Sequence, residues 1–308
     1  MSVKNGINGW AGSVLRVNLT TGAITTEDTL PKYKPYIGGM GLGYKVIWDE
    51  VPLDSDPLGP AAKAVFAIGP LTASGVPCSG RMNVSFLSCW SKGYSIVDAH
   101  MGGHFAHALK YAGYDAVIVE GQSDKPVYLK IEDEKVSIED ASDLWGKGTF
   151  ETNATIAKAC GPEFDVCCIG PAGENLVPMS CMVTSFGNSG GGGVGAVLGS
   201  KKLKAIACRG TGAVKIARPM EVRLLSNYMI KDLVGGNKGE TAFYDRLCAM
   251  IGVPKEDCVM FEDSLYAMQG ARAAGLSVVG ITDSTNAHVR AQMQDTCDIV
   301  IDSYDELA

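Results

Sequence analysis

The sequence predicts a chain in two parts: a larger one in which a strand, turn, loop, helix and strand are built twice, and a shorter α/β segment behind it. Three observations carry this. Residues 100–114, HMGGHFAHALKYAGY, and residues 186–204, FGNSGGGGVGAVLGSKKLK, each place a glycine pair before an apolar run that can wind into a helix. Laid over one another without a gap, Gly102 and Gly103 match Gly191 and Gly192. Phe105 then matches Val194, Leu109 matches Leu198, Val117 matches Ile206 and Gly121 matches Gly210. Upstream, Ile68-Gly69-Pro70 precedes Val76-Pro77-x-Ser79 at the spacing that separates Ile169-Gly170-Pro171 from Val177-Pro178-x-Ser180. The third observation is a change of character near residue 237, where the glycine-rich pattern gives way to alternating helical and strand-like stretches.

A chain of 308 residues has room for a large core and two domains. With 46% hydrophobic residues, 20% charged residues and 38 glycines, the composition predicts a soluble globular protein rich in tight turns. A net charge of -7 argues against nucleic acid as a partner. The start of the sequence lacks an apolar signal core, and no apolar run approaches the roughly 20 residues that span a bilayer, so the expected location is cytoplasmic. The ten cysteines lie in apolar surroundings and read as free thiols in a reducing compartment. None forms a C-x-x-C, and Cys167 is adjacent to Cys168, so no metal or iron–sulfur spacing is present.

In chain order, residues 13–18 and 23–27 flank Leu19-Thr20-Thr21-Gly22 as a hairpin. A glycine-rich opening at 38–43 leads into a helix through Trp48, but its spacing is not that of a dinucleotide fingerprint. Residues 64–68 read as a buried strand, and Arg81 opens a strand of alternating pattern. Strands follow at 117–121, 127–131, 136–138, 166–169 and 205–208, and a helix beginning at a proline covers 219–234.

Glycine before a helix clears side chains from the end where amides point outward and the dipole is positive, which suits phosphate. Two copies predict two such ends, facing each other; the plainer alternative is that the glycines serve turns and close packing. Arg81 either pairs with a surface carboxylate or holds a phosphate or heterocycle with its planar fork. His104 and His107, near His100, would share a helix face, but no third metal ligand stands at a telling spacing.

Several ordered motifs carry a family resemblance: Gly69-Pro70-Leu71-Thr72, Ser79-Gly80-Arg81, Ala112-Gly113-Tyr114-Asp115, Leu144-Trp145-Gly146-Lys147, Ile169-Gly170-Pro171-Ala172-Gly173-Glu174-Asn175-Leu176 and Gly199-Ser200-Lys201. From about residue 8 to about 235 the chain resembles the N-terminal domain of the aldehyde ferredoxin oxidoreductase family. The resemblance implies an α+β fold with large mixed β-sheets and an internal pseudo-two-fold repeat. It also implies a tungsten or molybdenum ion on two pterins, with magnesium bridging their phosphates. Matched motif by motif, the cofactor-binding positions are Arg81, His100, Gly102, Gly187, Asn188, Gly190 and Gly191, with the His100 and Asn188 carbonyls toward magnesium. The best-known members have asparagine at the position of His100 and arginines at those of Gly187 and Gly191. Full members continue beyond this domain to the cysteines of a [4Fe–4S] cluster and exchange electrons with ferredoxin; no such cysteine set occurs here.

From about 237, Phe261-Glu262-Asp263-Ser264 and Gly270-Ala271-Arg272-Ala273-Ala274-Gly275 resemble the C-terminal portion of haloacid dehalogenase-like hydrolases of the β-phosphoglucomutase type, a partial Rossmann-like α/β segment. That resemblance gives Glu262 and Asp263 to Mg²⁺ and Lys238 to phosphate. The nucleophilic Asp-x-Asp-Gly-Thr does not occur, so no phosphatase activity is expected.

The expected organisation is therefore a metal–pterin cradle at 1–217, a helical junction at 218–236 and an incomplete hydrolase-like segment at 237–308. The expected function is oxidation of an aldehyde to an acid, or its reversal, in a truncated or fused chain that lacks the cluster domains. The alternatives are a cofactor-carrying subunit completed by a partner chain, and a phosphate-ester hydrolase.

Overall fold

The structure, a computed structural model, describes residues 7–91, 95–185, 187–234, 238–282 and 286–307, with the backbone alone at 231–234, 238–243, 246, 304 and 307. It divides into two compact units, Met1–Arg223 and Leu224–Ala308.

The first unit begins with the hairpin β1 (Ser13–Asn18) and β2 (Ile24–Asp28), closed by Gly22 at φ 73°. It continues through α1 (Thr29–Tyr33), α2 (Gly39–Glu50), β3 (Ala64–Ala67), β4 (Met82–Leu87), β5 (Ile96–Met101), α3 (Phe105–Tyr111) and β6 (Ala116–Glu120). A second series follows: β7 (Val127–Glu132), β8 (Lys135–Asp140), α4 (Thr149–Cys160), β9 (Asp165–Ile169), α5 (Pro171–Glu174), β10 (Met182–Thr184), β11 (Ser189–Gly190), α6 (Val194–Ser200) and β12 (Leu203–Arg209).

Two six-stranded sheets result, in the orders β2-β1-β6-β3-β4-β5 and β8-β7-β12-β9-β10-β11. The sense of pairing is the same at every step: antiparallel in the hairpin, parallel to the last strand of the series, then antiparallel three times. The duplication read in the glycine and Ile-Gly-Pro motifs thus extends to whole sheets. It takes in the hairpins and the helix pair α2 and α4, which those motifs do not reach.

The main core lies between the sheets, where Phe66, Phe86 and Phe105 meet Val127, Ile169, Val197 and Ile206. Each such side chain contributes about 1.5–3 kcal/mol by leaving water. The short helices cross over: α3 packs on β9 and β12, and α6 reaches β3 and β4. The outer faces are covered by α2, through Leu42, Val46 and Ile47 against Val65 and Leu87, and by α4, through Ile156 against Phe164 and Val166.

Buried charges brace each copy, and one of them links the two. Lys110 meets Asp115 at 2.7 Å with both side chains fully buried, and Asp115 also accepts from the amides of Ala11 and Gly12 and the hydroxyl of Thr29. Lys201, in the second copy, donates to the carbonyls of Ala62 at 2.5 Å and Gly121 at 3.0 Å in the first. Lys204 is paired with Glu174.

After α7 (Pro219–Val234) and α8 (Lys238–Ile251), the second unit holds β13 (Val259–Glu262), α9 (Leu265–Ala274), β14 (Ser277–Ile281), α10 (Arg290–Thr296) and β15 (Ile299–Ile301). Its three strands are parallel in the order β13-β14-β15, with Met268, Val278 and Met293 in its core. Among the described residues no helix is long and apolar enough to cross a membrane.

Candidate cofactor cradle

The site is built on β4 and β5, whose alternation sorts residues to two faces. Cross-strand partners Asn83 and His100, and Ser85 and Asp98, point toward α2. There the Nε2 of His100 donates to Asp98 Oδ2 at 2.5 Å, Asn83 donates to the same oxygen at 3.0 Å, and Tyr44 of α2 donates to Asp98 Oδ1 at 2.8 Å. Burial, and then the hydrogen bond to Asp98, push the Tyr44 phenol up to about 12. The alternating pattern after Arg81 suggests a strand wet on one face; instead β4 is buried along its length, because α2 covers the polar face and Gly43 lets it approach Ser85.

The opposite face carries Met82, Val84, Phe86, Ala99 and Met101 toward the second sheet. Here the edge strand of one sheet, β5, meets that of the other, β11. A Cβ on Gly190 would fall 2.7 Å from Met101 Cγ and 3.1 Å from Ala99 Cβ. One on Gly102 would fall 2.8 Å from Asn188 Oδ1, and one on Gly103, at φ 87°, would fall 3.1 Å from Thr184 Oγ1. Glycine at these positions permits the two copies to touch.

The sequence-predicted positions are distributed as follows. Arg81 is exposed and immediately precedes Met82, which pairs with Met101 beside Gly102. Gly102, Asn188 and Gly190 come together at the meeting of β5 and β11. Gly187, at φ 75°, and Gly191 border them with open space at their Cβ positions, the nearest atom to Gly191 being Cys181 Sγ at 3.9 Å. The ring of His100 lies on the α2 face, occupied by Asp98 and Asn83.

The start of α6 does not form the amide hollow that its glycines suggest. At α6 the Gly195 amide donates to Ser180 O at 3.1 Å, and Gly193 abuts the Pro178 carbonyl, Cys89 and the Trp90 indole nitrogen. That end is packed into protein, so its glycines serve close approach. Gly102, Gly103 and Asn188 meet through the loops before the helices.

His104 and His107 do stack on α3, edge to face with centroids 6.4 Å apart. Burial holds the His107 imidazole below its ordinary value, Gly80 leaves room for its ring, and no group of three metal-ligating side chains occurs among the described residues. In the second unit Glu262 ends β13, and its carboxylate accepts from the amides of Asp263 at 3.2 Å and Ser264 at 2.9 Å, at the start of α9. The side chain of Lys238 lies outside the described residues.

Sequence reasoning missed Thr184. It is 2% exposed, and its hydroxyl has no hydrogen-bond partner among the described residues. Aligning Met182 with Met82, both buried between the sheets, would have placed it on the inner face.

The model of the aldehyde ferredoxin oxidoreductase N-terminal domain matches residues 14–210, the whole of the paired sheets save the first residue of β1. The chain belongs to the aldehyde ferredoxin oxidoreductase family. The tungsten-containing aldehyde ferredoxin oxidoreductases of Pyrococcus furiosus and Thermococcus kodakarensis are each 44% identical to it over 225 residues, covering 72% of this chain and 37% of theirs. The aliphatic sulfonate oxidoreductase WOR-like subunit of Pyrococcus furiosus is 33% identical over 222 residues. Among solved structures, the active-site complex BamBC of benzoyl coenzyme A reductase with 1,5-dienoyl-CoA aligns with a TM-score of 0.70 and 38% identity, over 76% of this chain and 35% of that one. The chain thus spans little more than a third of the length of its family relatives.

Proposed function

We propose that the chain is the cofactor-holding part of a tungsten-dependent oxidoreductase, gripping a tungsten–bis-pterin group, or its molybdenum counterpart, where β5 and β11 meet. The observation that carries this reading is the convergence of Gly102 and Gly103 from one copy with Thr184 and Asn188 from the other. Two related halves suit a ligand that is itself made of two pterins. The residues fit such a group beside that convergence: Gly187 and Gly191 leave open space there, and a buried hydroxyl at the junction has no partner among the described residues.

In this reading Arg81 would hold a phosphate through its guanidinium N–H groups, and the backbone carbonyls of His100 and Asn188, the latter also accepting from the Thr184 amide, would hold magnesium, a hard cation that takes backbone oxygen. Asp98, braced by Asn83 and Tyr44, fixes the His100 ring and with it the strand end leading to Gly102. When bound, the group supplies two-electron chemistry that interconverts an aldehyde and its acid; the protein holds and orients it and excludes water. The electrons pass to an iron–sulfur protein such as ferredoxin in the cytoplasm. Because no cysteine of the 308 residues stands in a cluster spacing, the [4Fe–4S] ligands of this scheme come from additional polypeptide, either a further domain or a partner chain.

The hydrolase reading of the second unit has behind it the motifs at 261–264 and 270–275 and the strand-end position of Glu262 and Asp263, and the missing nucleophile weighs against it. The test is to purify the chain from cells given tungstate or molybdate and measure metal and pterin per chain by mass spectrometry. One metal with two pterins, reduced by Arg81→Ala, is the expected result; a wild-type chain without pterin would refute the reading.

A further inference from the structure

We infer that Thr184 is a ligand contact of the cradle, its hydroxyl held in reserve for an anionic oxygen of the bound group; this rests on the reading above. Thr184 ends β10 opposite Cys167, on the inter-sheet face shared with Met182. Its backbone is fully used: the amide donates to Asn188 O at 2.8 Å, and the carbonyl accepts from Gly187 N at 2.9 Å. The hairpin that carries Asn188 is therefore pinned to the same residue whose hydroxyl is free.

That hydroxyl is buried with no partner among the described residues, yet it lies where a Cβ on Gly103 would be 3.1 Å away. A buried hydroxyl without a hydrogen bond costs stability, and an apolar residue of the same shape would relieve that cost. Valine has that shape. A threonine at such a place is explained by a partner that arrives with the ligand, and the positions around it, Gly103 and Asn188 with Gly102 beside them, are those that border the cradle. The hydroxyl can donate to an anionic oxygen while its methyl group stays in the inter-sheet core.

The test compares Thr184→Val and Thr184→Ser with wild type, each purified from tungstate-supplied cells, by two readouts. Thermal melting of the ligand-free chain should show Thr184→Val at least as stable as wild type. Pterin and tungsten retained through prolonged dialysis should fall in Thr184→Val, with dissociation about tenfold faster, the loss of one hydrogen bond to a charged group. Thr184→Ser, which keeps the hydroxyl, should retain the cofactor as wild type does. Equal retention by Thr184→Val in a chain whose wild type is loaded would overturn the assignment and leave the cradle standing. A destabilised ligand-free Thr184→Val would also overturn it, since the hydroxyl would then have a partner within the protein. A wild type that carries no pterin would overturn the cradle and the assignment together.

Discussion

Lys201 is fully buried, and among the described residues its ammonium reaches two carbonyls, Ala62 O and Gly121 O. Burial, and secondly the like charge of Lys63, push its pKa down to about 8, while Glu120 pulls the other way. The fall from an ordinary lysine value corresponds to roughly 3 kcal/mol held against the charged form. The sign follows from which state keeps the proton. Below about pH 8 folded and unfolded chains are both protonated, and the cost stands in full. Above it the folded chain releases its proton while the unfolded chain keeps one until about pH 10.5, so stability rises with pH across that window.

Lys201→Met removes this term and strands two carbonyls, a cost of about 1–3 kcal/mol each that does not depend on pH. Urea unfolding of both proteins, followed by circular dichroism between about pH 7 and pH 9.5, isolates the difference. The stability of wild type relative to Lys201→Met should grow by about 2 kcal/mol over that range. A difference constant to within about 0.5 kcal/mol would refute the reasoning, because the ammonium would then feel no net burial cost.

Three further substitutions have outcomes that follow from the same structure. Asp115→Ala leaves the Lys110 ammonium buried without its counter-charge and frees the amides of Ala11 and Gly12, so denaturant unfolding should show a loss of about 3–5 kcal/mol. Gly191→Arg enters open space at ordinary backbone angles and should change stability by no more than about 0.5 kcal/mol in thermal melts. Gly187→Arg, at φ 75°, should cost about 1–2 kcal/mol more, and either arginine should slow the loss of pterin by adding a cation beside the cradle.

Local features of the fold were legible where side-chain chemistry and backbone geometry point the same way. The Thr21-Gly22 hairpin, the glycine-led α2 and the proline-started α7 are of this kind. Helix α4 was not, because TFETNATIAKAC buries only Thr152 and Ile156 and so shows a weak apolar stripe. The duplication was visible at its repeated turns, Ile-Gly-Pro and Gly-Gly, but the hairpins that begin each copy share a strand order and not a sequence pattern. The neighbours Gly102 and Asn188 are far apart in the chain, and only the docking of β5 on β11 brings them together. The glycine-before-helix signal overreached because glycine serves close backbone packing as readily as anion binding, and at Gly193 packing won. Thr184 was invisible because a threonine on a strand gives no hint of whether its hydroxyl has a partner.

The central claim is that the two copies grip one metal–pterin group at the meeting of β5 and β11. Crystals of the chain grown from tungstate-supplied cells, with data collected at the tungsten absorption edge, test it most directly. The account predicts an anomalous peak on the side where Gly102 faces Asn188, with pterin density running back to those residues and to Arg81. Tungsten or pterin bound elsewhere on the chain, with that junction closed by protein contacts, would contradict it.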